Sequence, residues 1–335
     1  MAVLGTGAAL PGDAVSTDAL LALLAERFSF SGVRGAAAVA ARMGISSRHI
    51  CRAFDAGREC AIPGRANPDL AAQAITAALR DAGLAVGDIG YLIAHTTTPQ
   101  QLLPGNVATV ADLIGYDGPH VELRQACTGF ANGLMIASGL IAAAPDRPIV
   151  IVGSETGSLF FDPISLASDN GQIVNMLQMG DGAGAIVLSG ARRGAASIDA
   201  AWYGAIGRNR APGIRLDQGV QHFEHDFAGI RASGHTLFEA GRAMAATLDN
   251  PIEDADWIIP HQVSGRIGDQ LADHLGIDRK RAFVNADRLG NTGSAAIWLA
   301  LDDLRHTAIR AGERAVVLGA EASKYMYGGL AYVHA

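Results

Sequence analysis

Lysine, cysteine and aromatic residues are scarce in this 335-residue chain, and its net negative charge argues against one class of partner. Lys280 and Lys324 are its only lysines, and the net charge at pH 7 is −7. The sequence therefore gives no sign of the basic surface typical of nucleic-acid-binding proteins. With 49% hydrophobic and 18% charged residues, the chain is predicted to fold as a globular protein. No apolar run approaches the length of a transmembrane helix, so we expect no membrane span.

The amino terminus and the cysteines both predict a protein of the reducing cytoplasm. Residues 1–11 have no basic leader and are broken by glycines, which favours a strand over a signal peptide. The three cysteines are an odd number without paired metal-ligand spacing, which indicates neither a disulfide framework nor a metal site. Cys51 and Cys60 lie in an irregular stretch, and we interpret them as incidental thiols.

Apolar strands alternate with alanine-rich helical runs, which predicts an α/β fold with buried parallel strands. The helix over 129–142 is apolar on nearly every face and is expected to cross the centre of the protein. Three irregular stretches are predicted to form walls or lids of a pocket: Arg52–Ala66, Phe160–Gln178 and Arg208–Gly229. Strands are expected around 89–95, 149–153, 184–188, 257–260 and 315–319, and helices over 70–81 and 265–275.

The two halves of the chain repeat one pattern. An apolar strand ends at His95 in the first half and at His261 in the second. Cys127-Thr-Gly follows the first histidine at nearly the same interval as Asn291-Thr-Gly follows the second. The repeat is longer than the roughly 20 to 50 residues of a solenoid unit, so it predicts two copies of one αβ unit, residues 1–190 and 191–335. A long apolar helix and then a matching strand and turn follow in each half, ending in Gly153-Ser-Glu and Gly319-Ala-Glu.

Cys127 is the candidate nucleophile. The free N–H groups and the dipole of the helix that follows it predict a lowered pKa for its thiol. Taken alone, a cysteine in an apolar core is as often structural as reactive. His261 ends a strand, where α/β proteins place their sites, while Asn291 by itself would be interpreted as a helix cap. Because all three occupy equivalent positions in the two halves, we expect them to share one site.

The motifs around these residues resemble those of the β-ketoacyl-acyl carrier protein synthase III family, within the thiolase-like superfamily. The match extends over essentially the whole chain, through Thr96–Pro99, Ala126–Gly129, Met179–Gly184, His261–Ile267, Gly290–Gly293 and Gly328–Gly329. The resemblance implies a thiolase-like five-layered αβαβα fold built from two duplicated halves. It also implies a homodimer with a Cys-His-Asn site at the end of a narrow tunnel.

The resemblance further implies a catalytic role for each of these residues. Cys127 would take an acyl group from a thioester donor, which splits one difficult reaction into two easier ones. His261 and Asn291 would donate hydrogen bonds to the enolate formed when a malonyl thioester loses carbon dioxide. The N–H groups of Cys127 and Gly328 would form the oxyanion hole.

Two further residues are assigned by the same resemblance. Arg266 aligns with a basic residue near the tunnel mouth and would hold an acyl carrier protein or its phosphopantetheine, although a solvated helix charge is an equally good interpretation. Leu103 would act as a substrate gate that reaches the partner subunit's pocket. No bound cofactor is expected, because the substrates are thioesters: acyl-CoA or acyl-ACP, with malonyl-CoA or malonyl-ACP.

Departures from the family pattern favour specialised metabolism over primary fatty acid initiation. Ala38 aligns with a tryptophan that stacks on the adenine of coenzyme A in the family, which favours a donor carried on acyl carrier protein. A Ser-Arg pair of the family is missing, and the region 157–178 is longer than usual. Val263-Ser264 replaces Ala-Asn, and Tyr327 replaces a glycine. We expect a pathway to a polyketide, an alkylquinolone or another acyl-derived metabolite.

Two alternatives remain open at this point. The enzyme could pass its acyl group to an alcohol or amine without decarboxylation, although the presence of Asn291 favours condensation. It could instead be a non-catalytic partner subunit, against which the complete triad argues. A classical thiolase, which needs a second catalytic cysteine, is excluded because neither Cys51 nor Cys60 lies in the second half.

Overall fold

The computed structural model describes residues 1–54, 60–190, 192, 194–216 and 222–335. The strands are β1 (Ala2–Ala9), β2 (Val15–Ser16), β3 (Ser47–Arg48), β4 (Tyr91–His95), β5 (His120–Leu123), β6 (Ile149–Thr156), β7 (Asp181–Ser189), β8 (Ser197–Ala205), β9 (Ile214–Arg215), β10 (Glu224–His225), β11 (Trp257–Pro260), β12 (Arg314–Glu321) and β13 (Met326–Val333). The helices are α1 (Thr17–Phe28), α2 (Val33–Met43), α3 (Asn67–Ala82), α4 (Asn106–Ile114), α5 (Gly129–Ala143), α6 (Asn170–Gln178), α7 (Phe227–Thr247), α8 (Ile267–Leu275), α9 (Ala286–Leu289) and α10 (Ala296–Thr307).

Nine strands form one continuous hydrogen-bonded array in the order β11-β12-β13-β8-β1-β7-β6-β4-β5. The two halves join where β1 meets β8, through the antiparallel pair Ala2 and Ser197 and the 2.7 Å bond from the Val3 N–H to the Ala196 carbonyl. From β1 and β8 outward, the strands of the two halves pair in the same order and with the same directions. β7 and β6 pair antiparallel and β4 then runs parallel to β6, just as β13 and β12 pair antiparallel and β11 runs parallel to β12. The topology therefore repeats in the two halves.

The helices complete five layers. α3 packs on β1, β7 and β6 on one outer side, and α7 packs on β13 and β12 on the other. Between the two sets of strands lie α5 and α10, whose buried Phe130 and Trp298 meet edge to face with ring centroids 5.9 Å apart. The predicted α/β, five-layered αβαβα fold is confirmed. The expected strands and helices are present as well, within a few residues at their ends.

The helix predicted to cross the centre does so, but one of its faces is open. α5 contacts β4 and β6 of one half and β8 and β13 of the other. Met135 and Ile136 nevertheless keep 52% and 37% of their surface exposed.

Within the described ranges, no helix is long and apolar enough to cross a membrane. The predicted boundary between the halves stays a prediction, because position 191 lies outside the described residues.

Glycines let α3 approach β1 closely. A Cβ on Gly7 would lie 2.3 Å from the backbone nitrogen of Ala78 and 2.5 Å from the carbonyl oxygen of Ala74. Backbone atoms of a packed helix cannot move aside as a side chain can. The contact therefore requires glycine at this position of the strand.

We expect Gly7→Ala to destabilise the protein by about 1 to 3 kcal/mol, the usual cost of overpacking a close-packed core. Urea unfolding of variant and wild type measures the difference. Gly87→Ala is the matched control, because a Cβ on Gly87 meets nothing within 4 Å. A Gly7→Ala variant as stable as this control would contradict the packing argument.

Candidate active site

Cys127 lies in the turn that connects β5 to α5. The turn is held by the 3.0 Å bond from the Gly129 N–H to the Ala126 carbonyl. A Cβ on Gly129 would lie 2.5 Å from Nδ1 of His95, so this first residue of α5 must be glycine for the turn to pack. The Cys127 side chain is half-buried and faces the large cavity described below.

His261 follows directly after the last residue of β11, as predicted. Its N–H donates to the Leu318 carbonyl at 2.8 Å, which ties it to β12. The next residue, Gln262, donates from its amide to the Pro260 carbonyl at 2.7 Å and accepts from the Asn285 N–H at 2.9 Å. Burial lowers the pKa of the His261 imidazole to about 4. The ring is therefore neutral at pH 7, with one nitrogen able to donate and the other able to accept.

Asn291 is fixed at both its backbone and its side chain. Its N–H donates to the Gln178 carbonyl at 2.7 Å, and its own carbonyl accepts from the Gly180 N–H at 3.1 Å. The side-chain oxygen Oδ1 accepts from the Gly293 N–H at 3.0 Å. With Oδ1 engaged in this way, the side-chain amide nitrogen is the group oriented to donate to a ligand.

A single cavity of about 1970 Å³ brings the three residues together: Cys127, His261 and Asn291 all line it. They come from the turn after β5, the residue after β11 and the turn before α10, so the fold rather than local sequence places them on the wall of one cavity. All three irregular stretches predicted as pocket walls contribute lining residues, which confirms that prediction for their described parts. Positions 55–59 and 217–221 of those stretches lie outside the described residues.

Two buried carboxylates, Glu155 and Glu321, also line the cavity. Glu321 accepts from the N–H of Thr128 at 2.9 Å and from its hydroxyl at 2.7 Å. Glu155 accepts from the N–H of Ser294 at 3.0 Å and from its hydroxyl at 2.7 Å. The glutamate of each half thus binds the residue that leads into the central helix of the other half.

Sequence reasoning missed these glutamates as site residues. The signal was nevertheless present, since Gly153-Ser-Glu and Gly319-Ala-Glu occupy equivalent positions in the repeat. Burial raises the pKa of Glu155, while bonds from Thr98 and Ser294 oppose that shift. The pair adds acidic groups beside the candidate nucleophile.

Comparison with known proteins identifies the family of this chain. A family model described as 3-oxoacyl-[acyl-carrier-protein] synthase III matches residues 121–205, and its C-terminal counterpart matches residues 246–332. β-Ketoacyl-[acyl-carrier-protein] synthase III 3 of Streptomyces coelicolor is 30% identical over 83% of this chain and 83% of its own length. The chain belongs to the β-ketoacyl-[acyl-carrier-protein] synthase III family. It is a ketosynthase-type acyltransferase.

Two solved structures share the whole fold. AbyA1, a tetronic acid condensing enzyme, has a TM-score of 0.86 and 26% identity, with 99% of each chain covered. The priming β-ketosynthase of the R1128 polyketide pathway has a TM-score of 0.80 and 26% identity, with 99% of this chain and 95% of that chain covered. Enzymes of the synthase III family act on acyl and malonyl thioesters and on acyl carrier protein substrates.

The resemblance to the synthase III family also assigned Arg266 and Leu103 to the site, and both lie at the edge of the cavity. Arg266 is exposed just before α8, and its neighbours Ser264 and Ile267 line the cavity. Leu103 is 88% exposed, and the adjacent Leu102 lines the cavity. Arg266 and Leu103 therefore lie beside lining residues rather than next to the nucleophile.

Gly328 does not lie where an oxyanion hole would need it. It sits within β13, paired with Gly319 of β12 on one side and Tyr203 of β8 on the other. Its N–H is therefore directed at a neighbouring strand, because a central strand uses its backbone groups on both sides. The nearby Ala322 and Ser323, in the turn between β12 and β13, line the cavity instead.

The surroundings of Cys127 reverse the expected direction of its pKa shift. Burial raises the pKa of the thiol well above its usual value, and the charges of Glu321 and Glu155 raise it further. The start of α5 had predicted a lower pKa. Loss of water and two nearby carboxylates outweigh the helix end, whose effect is confined to its first turn.

We expect Glu321→Gln to lower the pKa of Cys127, because the substitution removes a negative charge that disfavours the thiolate. The measurement is the pH dependence of iodoacetamide alkylation at Cys127, followed by peptide mass spectrometry. Its midpoint should move to lower pH than in the wild type. Glu239→Gln, at an exposed position on α7, is the control and should leave the midpoint in place. A midpoint that stays fixed or rises in Glu321→Gln would refute this account of the shift.

Proposed function

We propose that the protein performs a decarboxylative Claisen condensation between an acyl group on Cys127 and a malonyl thioester. The observation that carries the proposal is the meeting of Cys127, His261 and Asn291 in one cavity. A nucleophile and two neutral hydrogen-bond donors are the groups that acyl capture and enolate stabilisation require.

In the first step, the Cys127 sulfur attacks the carbonyl carbon of the donor thioester. Because its raised pKa keeps Cys127 a thiol at neutral pH, the proton must leave as the attack occurs. Neutral His261 in the same cavity can accept this proton and pass it to the departing donor thiol. The C–S bond to the donor breaks, and an acyl thioester forms on Cys127.

In the second step, the malonyl thioester loses carbon dioxide and leaves an enolate. The developing negative charge lies on the thioester oxygen, where the His261 ring N–H and the Asn291 side-chain amide would donate hydrogen bonds. The enolate carbon then attacks the acyl carbon, a C–C bond forms, and the bond to the Cys127 sulfur breaks. The departing sulfur takes up a proton from water and returns to the thiol. The Cys127 N–H would donate a hydrogen bond to the oxyanion formed during this attack. For the second donor, the backbone of Ala322–Ser323 is a better candidate than Gly328, because it lines the cavity.

A mass measurement followed by product analysis tests this proposal. An acyl donor should add one acyl group to the protein, and malonyl thioester supplied next should release carbon dioxide and a β-keto product. Acyl transfer to an added alcohol or amine without carbon dioxide would replace condensation by the alternative reaction. A protein that never takes up an acyl group would be a partner subunit rather than an enzyme.

We propose that the pathway is one of specialised metabolism, with an acyl donor carried on acyl carrier protein. AbyA1 and the R1128 priming ketosynthase, both 26% identical to this chain, support the first part. Ala38 supports the second, because it is exposed on α2 and offers no aromatic ring for an adenine. Arg266, exposed beside the cavity, would contact the carrier protein.

We further propose that the protein is a homodimer. β5 lies at the end of the strand order, and six large apolar side chains among the described residues of the first half are exposed: Leu102, Leu103, Leu113, Met135, Ile136 and Ile164. Exposed apolar groups of this kind mark protein interfaces. Sedimentation velocity reads the mass directly, and a monomer would refute the assignment. The cytoplasmic location stays a prediction from sequence.

A further inference from the structure

Four aromatic rings form a row along one side of the cavity, which we call the aromatic wall: Phe160, Phe223, His225 and Phe227. Successive ring centroids are 6.0, 6.3 and 5.1 Å apart, and the last two rings are stacked. Burial lowers the pKa of His225 to about 4, so this ring is neutral at pH 7 like its neighbours. The wall therefore presents an uncharged, largely apolar surface to whatever occupies the cavity.

Hydrogen bonds to the backbone of Phe223 hold the aromatic wall in place. The Phe223 N–H donates to the Phe160 carbonyl at 3.0 Å. The Phe223 carbonyl accepts from the side-chain amides of Gln172 at 3.2 Å and Asn175 at 3.0 Å. His225 belongs to the short β10, which pairs with β9. These bonds join segments distant in sequence, so contacts within the protein hold the wall together.

The first turns of α7 extend the aromatic wall. Phe227, Ile230 and Gly234 all line the cavity, at the spacing that places residues on one face of a helix. A Cβ on Gly234 would meet nothing within 4 Å. The face therefore opens at Gly234 into unfilled space that a ligand could occupy.

The size of the cavity decides what kind of ligand fits. Its volume of about 1970 Å³, which includes a wide mouth open to solvent, exceeds the roughly 300 to 1000 Å³ of most small-molecule pockets. An acetyl group on Cys127 would leave most of this space and the whole aromatic wall uncovered. A long carbon chain would cover the wall and displace water from it, and each methylene buried raises affinity roughly fourfold.

We propose that the aromatic wall and the adjoining face of α7 bind the carbon chain of a long acyl group, of roughly eight carbons or more, on its way to Cys127. This inference rests on the proposed function, because it assumes that Cys127 carries the acyl group. It assigns chain selection to Phe223, Phe227 and the space beside Gly234.

The test compares donors of different length on the same protein. Acetyl, octanoyl and dodecanoyl N-acetylcysteamine thioesters are supplied separately at equal concentration, and the rate of labelling at Cys127 is read by intact mass. We expect dodecanoyl to label at least about tenfold faster than acetyl, as burial of several methylene groups requires. Acetyl labelling as fast as dodecanoyl labelling would overturn the inference and leave the proposed function standing. If neither these donors nor the same acyl groups carried on acyl carrier protein label Cys127, both fail.

A cavity-filling variant locates the chain. Gly234→Leu adds a side chain where the structure has open space and should lower the ratio of dodecanoyl to acetyl labelling at least about tenfold. Gly87→Leu, at an exposed turn that also has open space, is the control and should keep the wild-type ratio. An unchanged ratio in Gly234→Leu would place the chain elsewhere and overturn the assignment. Circular dichroism verifies that both variants are folded, and the comparison of donors on the wild type stands without them.

Discussion

Cys127→Ala is expected to abolish covalent acylation, while the wild type gains one acyl group per chain. The reason is chemical: alanine has no nucleophilic atom, and the covalent intermediate cannot form without one. Intact mass after incubation with a dodecanoyl or shorter thioester gives the result directly. The loss should be complete rather than partial, which makes this the largest effect that we predict.

The other two thiols provide the controls for this experiment. Cys60 is exposed and Cys51 is buried, and burial raises the pKa of Cys51 far above its usual value. Cys60→Ala should therefore acquire the acyl group as the wild type does, with the adduct mapped to the Cys127 peptide. Equal labelling of the wild type and of Cys127→Ala would remove Cys127 as the nucleophile.

Loss of either enolate donor is expected to suppress decarboxylation far more than acylation. We expect His261→Ala and Asn291→Ala each to slow carbon dioxide release by roughly 10²- to 10³-fold, the usual cost of removing one preorganised donor. Acylation should continue at a reduced rate, because the Cys127 sulfur remains. Release of labelled carbon dioxide from malonyl thioester and intact mass measure the two steps separately.

Comparison of Cys127→Ala with the two donor variants separates acylation from decarboxylation. Cys127→Ala keeps both donors, so it should retain slow decarboxylation of malonyl thioester although it carries no acyl group. His306→Ala, exposed on α10, is the histidine control and should leave both steps unchanged. If His261→Ala lost acylation as completely as decarboxylation, the separate enolate role would be refuted, and His261 would act only on the proton of Cys127.

Much of the fold was predictable because local patterns and the internal repeat agree. The strand ending at His261 and the helix following Cys127 lie where hydrophobic patterning and turn residues predict them. The irregular stretches become cavity walls, as expected. Patterns of this kind survive in sequence because they involve neighbours along the chain.

What the sequence did not reveal depends on contacts between distant residues. We expected a lowered pKa for Cys127 because of the helix that follows it. Its pKa is instead raised by burial and by Glu321. Glu321 is held near Cys127 by the hydrogen bond from Thr128, a residue 193 positions away in sequence. Alignment placed Gly328 at the oxyanion hole, but strand pairing on both sides turns its N–H away. The aromatic wall likewise forms only when Phe160 and Phe223 are brought together.

The exchange of Glu155 and Glu321 between the halves has a consequence for how the protein arose and how it can change. Each half supplies the carboxylate that completes the helix start of the other, so neither half can make this arrangement alone. Two identical copies paired face to face would have made the same exchange with one kind of residue. Under the duplication that the repeat predicts, one copy would specialise in the nucleophile Cys127 and the other in Asn291, while the shared acidic contacts would keep the two evolving as a single unit.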